Sequence, residues 1–169
     1  HDLTRALDAG AQGLLLPAIE SAEQLAGIME AVRYHPLGNR PMNLKGPHTD
    51  YAALPPADIL EHLNTETMVV VMIESRDAID KLPEILKVEG IDAVMVGPDD
   101  LSQDLGIPGD LQNPEMFEAY EEVFAACRAA NTPYGLSAQS PEMAGRWLEM
   151  GAQWIPYQND AAMVLAEAG

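Results

Sequence analysis

Leu7-Asp8-Ala9-Gly10-Ala11-Gln12 returns near the far end of the chain as Leu148-Glu149-Met150-Gly151-Ala152-Gln153, and Val88-Glu89-Gly90-Ile91-Asp92 is a looser copy. In each copy a helix-like stretch runs into Gly and then into a short apolar or β-branched run. Gly at that place is the usual left-handed helix cap, because it adopts positive φ without a Cβ clash. Each copy therefore marks a helix that ends shortly before a strand begins. This punctuation predicts strands at Gly13–Pro17, Met68–Glu74, Ala93–Gly97, Tyr134–Ser137 and Trp154–Gln158. The second is an almost continuous apolar run, the pattern of a parallel strand covered on both faces.

The intervening segments carry helical periodicity. Phe117, Tyr120, Phe124 and Cys127 share one face at spacings of 3, 4 and 3, which predicts a buried stripe and an unreactive thiol. Leu25, Ile28, Met29 and Val32 do the same for Ser21–Arg33, where Ser21 and Gln24 have capping-box spacing. Ile79, Leu82, Ile85 and Leu86 form a third stripe, with Pro83 expected to open a second helical turn after a break. Tyr34–Pro56, which holds Pro36, Pro41, Pro47, Pro55 and Pro56, has no period and reads as a long loop, a class that usually has a function.

Strands alternating with helices imply a parallel α/β sheet with right-handed crossovers. Five parallel strands fit the chain, whereas a closed (β/α)₈ barrel has eight in about 250 residues. The 169 residues are then either an open five-stranded domain or a single C-terminal portion of a barrel lacking about the first three βα units. A start at His1-Asp2-Leu3 without Met, already in helix-like sequence, favours the second.

Composition removes several functions. A net charge of −18 excludes a nucleic acid or anionic membrane partner held by general electrostatics. The longest apolar runs, Leu14–Ile19 and Met68–Ile73, are far below the roughly 20 residues of a membrane span. A lone Cys127 excludes an internal disulfide, and with no signal-peptide pattern the expected setting is cytoplasmic.

In either architecture ligands bind beyond the carboxyl ends of the strands. The residues expected there are Pro17-Ala18, Glu74-Ser75-Arg76, Gly97-Pro98-Asp99-Asp100, Ser137-Ala138-Gln139 and Asn159-Asp160. Glu74 and Asp100 lie about one α/β unit apart, and neighbouring strands are about 4.8 Å apart, so both can face one small volume. Two close carboxylates need a shared proton or a cation, and oxygen-only ligation with positions left for water and substrate suits Mg²⁺ or Mn²⁺, with Co²⁺ as an alternative. Spacing alone leaves two plain readings open: Asp100 as the cap of the next helix, and Glu74 paired with Arg76. His1, His35, His48 and His62 have no zinc-site spacing, and Lys45, Lys81 and Lys87 lie outside the expected strands, which disfavours a Schiff-base mechanism. His48 is the one histidine expected in a loop at the active face.

Leu7-Asp8-Ala9-Gly10-Ala11-Gln12-Gly13, Leu14-Leu15-Leu16-Pro17, Ile73-Glu74-Ser75-Arg76, Val88-Glu89-Gly90-Ile91-Asp92 and Val96-Gly97-Pro98-Asp99-Asp100-Leu101-Ser102, in this order, resemble the HpcH/HpaI aldolase and citrate-lyase β family. The resemblance implies a (β/α)₈ barrel that uses a divalent metal to cleave 4-hydroxy-2-oxo acids by retro-aldol reaction into pyruvate and an aldehyde. It implies Glu74 and Asp100 as metal ligands, and Gly97 and Pro98 as the turn whose backbone approaches the pyruvate carboxylate. Ser137, at the end of its strand, is a further candidate substrate contact. Asp8 matches an acidic residue that reaches a neighbouring subunit's site, which implies a homo-oligomer. The family's catalytic His and Arg fall upstream of His1, so the chain alone is expected to be poorly active. Met72 stands where the family often has Gln, and the Lys45–Tyr51 loop differs from the commoner version. A citrate-lyase-like CoA-ester lyase and a non-catalytic relative retaining the metal site are the alternatives; six arginines offer little to the phosphates of CoA.

Overall fold

Gly10, Gly90 and Gly151 all have positive φ, at +106°, +90° and +89°; Gly10 and Gly151 stand two residues past helices that end at Asp8 and Glu149, whereas Gly90 stands in a turn five residues past the helix that ends at Ile85. The computed structural model describes residues 2–168, with side chains through residue 165; His1 lies outside the described residues. In chain order come α1 (Asp2–Asp8), β1 (Gly13–Leu16), α2 (Ala22–Val32), α3 (Pro56–Glu66), β2 (Met68–Ile73), α4 (Arg76–Ile85), β3 (Ala93–Val96), α5 (Pro98–Asp104), α6 (Pro114–Ala130), β4 (Tyr134–Leu136), α7 (Pro141–Glu149) and α8 (Asp160–Ala168). A 3₁₀ turn, Pro47–Thr49, interrupts the long loop. No helix among the described residues is long and apolar enough to cross a membrane.

The sheet is parallel and its strand order, β1-β2-β3-β4, follows the chain. A doubly wound sheet reverses its strand order at a switch point; this one does not, and advances in one direction as a barrel wall does.

The expected fifth strand, Trp154–Gln158, pairs with β4 only through isolated parallel bridges at Gly135 with Trp154 and Ala138 with Tyr157. The Trp154, Ala138 and Gln158 N–H groups bond to Tyr134, Pro156 and Ala138 carbonyls respectively, and the Leu136 N–H bonds to the Trp154 carbonyl. The rung still lacking would be donated by residue 156, and Pro156 has no N–H to give. The regular sheet therefore has four strands, with a fifth run alongside whose ladder the proline breaks.

Alternate strand residues face opposite ways. Leu14, Leu16, Val69, Val71, Ile73, Val94 and Val96 enter the main core with side chains of α2, α4 and α6. On the other face Val70, Ala93 and Met95 pack only with Met68, Met72 and Trp154, and Leu15 is 45% exposed. Helices thus cover one face, contrary to the expectation of cover on both. The apolar second face is the one that would line a barrel interior.

Local signals explain the helices. Ser21 caps α2 by accepting from the Gln24 N–H, and the stripe Leu25, Met29 and Val32 is buried. Cys127 is buried with its neighbours on α6, and burial pushes its thiol up to about 12. The expected break at Pro83 is absent: α4 runs through it. The missing N–H forfeits a single bond, and Ile79, Leu82 and Ile85, buried on both sides of Pro83, hold the helix to the core.

Arg33 secures the starting end of the strands. It is 6% exposed, and donates to the carbonyls of Asn64 (2.8 Å), Thr67 (2.7 Å) and Gly90 (3.4 Å). These tie the end of α2 to the starts of β2 and β3. Arg33→Met would strand those carbonyls at a cost of about 3 kcal/mol, read as a lower midpoint in urea. Gly135→Ala would place a Cβ 1.6 Å from the Trp154 carbonyl oxygen; a further loss of about 3 kcal/mol is expected, and a urea midpoint equal to that of the parent would contradict the packing described.

Candidate metal and substrate site

Glu74 follows the last residue of β2, where Ile73 stands opposite Val96. Its Oε1 accepts a 2.6 Å hydrogen bond from the Ala18 N–H in the turn after β1. Its Oε2 lies against Gly97, where a Cβ would come within 2.6 Å of it. Glycine is needed there because the Glu74 carboxylate occupies the space that any side chain would take. Partial burial pushes the Glu74 pKa up, the Ala18 N–H opposes that shift, and the charges of Asp100 and Glu20 push it up further.

Asp100 stands in the first turn of α5, which opens with Pro98 behind Gly97 as N-cap. Asp100 is therefore past the cap, and the reading of it as the capping residue fails. The second plain reading fails too, since Arg76 is held by Asp80 and Glu122 rather than Glu74. Among the described residues no ion pair involves Glu20, Glu74, Asp99 or Asp100.

A partly buried carboxylate, a second one near enough to raise its proton affinity and no cation to neutralise either are what a hard dication would satisfy. Among the described residues no group of three or more His, Cys, Asp or Glu is placed to enclose an ion.

Other expected residues separate into two ends of the sheet. Gly97 and Pro98 are beside Glu74. Ser137 directly follows β4, and its carbonyl is held by the Trp147 indole N–H at 3.0 Å. Met72 approaches the same glycine, with its sulfur 3.0 Å from a Cβ built on Gly97. Asp8 lies at the opposite end, before β1, paired with Arg40 at 2.5 Å. His48 also belongs to that opposite end, which corrects its expected place at the active face. There it lines a cavity of about 490 Å³ with Leu7, Gly10, Arg40, His62 and Thr67. The Lys45–Tyr51 loop packs beside Gly10 and Asp8, away from Glu74 within one chain.

Sequence reasoning missed Glu20 and Gln24. The Ser75 hydroxyl donates to both Glu20 oxygens (2.8 and 3.0 Å) while accepting from the Ala78 N–H to cap α4. Gln24, read only as part of a capping box, also reaches back to the Ala18 carbonyl at 2.9 Å. The signal was the position of Pro17-Ala18 just after a strand; no spacing rule indicates that Ala18 turns left-handed, at φ 53°.

The family profile for HpcH/HpaI aldolase/citrate lyase matches residues 1–165. A 4-hydroxy-2-oxo-heptane-1,7-dioate aldolase of Shigella sonnei is 35% identical over 96% of this chain and 62% of its own length. A hydroxypyruvate/pyruvate aldolase of Sagittula stellata is 34% identical over 99% of this chain and 65% of its own. The crystal structure of an HpcH/HpaI aldolase from Desulfitobacterium hafniense superposes with a TM-score of 0.92 at 32% identity, over 98% of this chain and 64% of that one. The chain spans less than two thirds of the length of each. A one-way parallel sheet with acidic residues at its carboxyl end, matched along nearly its whole length by one family, leaves a plain conclusion: this chain belongs to the HpcH/HpaI aldolase/citrate lyase family.

Proposed function

We propose that the protein containing this chain is a divalent-metal-dependent carbon–carbon lyase that cleaves 4-hydroxy-2-oxo acids to pyruvate and an aldehyde. The observation that carries this reading is the pair Glu74 and Asp100 just beyond the ends of adjacent strands, with neither in an ion pair among the described residues. The names of the relatives, a 4-hydroxy-2-oxo acid aldolase and a hydroxypyruvate/pyruvate aldolase, support a 2-oxo acid as the substrate.

Glu74 Oε2 and the Asp100 carboxylate would hold Mg²⁺ or Mn²⁺, or Co²⁺ in their place. When bound, such an ion supplies a Lewis acid that draws charge from the oxo acid as the C3–C4 bond breaks. The chain's own residues prepare the place. The Ala18 N–H keeps Oε1 occupied, Gly97 leaves room for Oε2, and Pro98 fixes the turn that brings backbone toward the substrate carboxylate. Ser137 borders the same end of the sheet. We assign the base that takes the C4 hydroxyl proton to the part of the protein beyond these residues, so the 169-residue piece alone would turn over poorly. Asp8, at the other end of the sheet, would serve a neighbouring subunit in a homo-oligomer.

In the full-length protein, Glu74→Gln and Asp100→Asn are each expected to lower Mn²⁺-dependent pyruvate release by about 10²–10³-fold or more. Turnover that survives both substitutions and a chelator would refute the proposal. The raised Glu74 pKa adds a check on stability. A carboxyl that holds its proton more tightly when folded loses its contribution as pH rises through that raised value. Without metal, Glu74→Gln should therefore melt about 1–2 °C higher than the parent at pH 7 and show no advantage at pH 4. Added Mn²⁺ should raise the melting temperature of the parent and not that of the variant.

A further inference from the structure

We propose that Gln24 is a positioning residue for Glu74: its side-chain amide clamps the Ala18 peptide, which in turn fixes which carboxylate oxygen faces the cation. The proposal rests on the reading of Glu74 as a metal ligand.

Ala18 adopts φ 53°, a left-handed conformation that costs a residue with a Cβ roughly 1–2 kcal/mol. Both polar ends of the residue are engaged. Its N–H donates to Glu74 Oε1 at 2.6 Å, and its carbonyl accepts from Gln24 Nε2 at 2.9 Å. The other end of the Gln24 amide accepts from the Glu20 N–H at 2.8 Å. With a donor required on one side and an acceptor on the other, only one orientation of the amide fits.

An ordinary capping box returns the third-residue side chain to the N–H of the cap itself. Here the cap is Ser21, whose hydroxyl already accepts from the Gln24 N–H at 3.2 Å. The Gln24 side chain passes beyond it to Glu20 and Ala18, so helix capping does not account for where it goes. The remaining link also returns to Glu74: the Glu20 carboxylate accepts from the hydroxyl of Ser75, the next residue along. The turn after β1 thereby grips both Glu74 Oε1 and its neighbour. Oε2 is left standing beside Gly97.

The test compares the full-length protein with Gln24→Glu, Gln24→Met and Glu74→Gln. Gln24→Glu keeps an acceptor for the Glu20 N–H and removes the donor to Ala18; Gln24→Met removes both bonds at similar length. In the metal-free protein, selectively ¹⁵N-alanine labelled, the Ala18 amide proton should lie downfield because it bonds to a carboxylate. It should move upfield in all three variants. Mn²⁺ affinity by calorimetry should fall about tenfold in the Gln24 variants and further in Glu74→Gln, with circular dichroism verifying that each is folded. A purely structural Gln24 would leave Gln24→Glu with the parent's Ala18 shift and Mn²⁺ affinity, and that result overturns the proposal. Should neither the parent nor Glu74→Gln bind Mn²⁺, the metal reading fails by itself. The Ala18 shift then decides the clamp alone, upholding it if it moves in Gln24→Glu and overturning it if it does not.

Discussion

The Glu74 carboxylate is half-buried, bonded through one oxygen to a backbone N–H and near other carboxylates, with no cationic partner among the described residues. That arrangement is uphill for a charged group on its own, because burial and like charge both favour the neutral acid. The surroundings nonetheless preserve it. Gly97 gives up its side-chain space to Oε2, Ala18 adopts a left-handed turn to reach Oε1, and Arg76, two residues on in sequence, is drawn off by Asp80 and Glu122. Structures that retain local conformational and electrostatic cost do so most often at functional sites.

The sheet gives this carboxylate its setting. Parallel strands in chain order bring the ends of β1, β2 and β3 side by side, so Ala18, Glu74 and Gly97 meet although they are far apart in sequence. The starting ends are tied separately, by Arg33 on three carbonyls and by Asp92 accepting from the Val69 N–H at 2.7 Å. The ties that hold the strands and the carboxylates of the proposed site thus lie at opposite ends, a division common to barrel-type sheets. The helices lie on one face. The second face, with Leu15 partly open beside the small cluster around Val70 and Met95, is the one that faces inward in a barrel-type sheet.

Much of the fold was legible because it rests on local rules. Gly10 and Gly151 marked helix ends and Gly90 the turn before β3, and the apolar runs of the chain located four strands within a residue or so. Pro156 defeated the fifth: its apolar neighbours look like strand, and only the hydrogen-bond ladder reveals that one rung has no donor. Pro83 misled in the other direction, since tertiary packing of Ile79, Leu82 and Ile85 outweighs one lost helical bond. In the site, Glu74 and Asp100 could be singled out because strand ends are where ligands bind. The partners of Glu74 could not, because Ala18 and Gln24 act through a backbone conformation and a single amide orientation that leave no mark in residue spacing. His48 was misplaced for a related reason: a long irregular loop can return to either end of a sheet, and this one returns to the start.

The most direct measurement is anomalous diffraction from crystals of the full-length protein grown with Mn²⁺. The account predicts a peak bounded by Glu74 Oε2 and the Asp100 carboxylate, with Glu74 Oε1 still on the Ala18 N–H. A crystal saturated with Mn²⁺ in which those two carboxylates turn apart and no peak lies between them would contradict it.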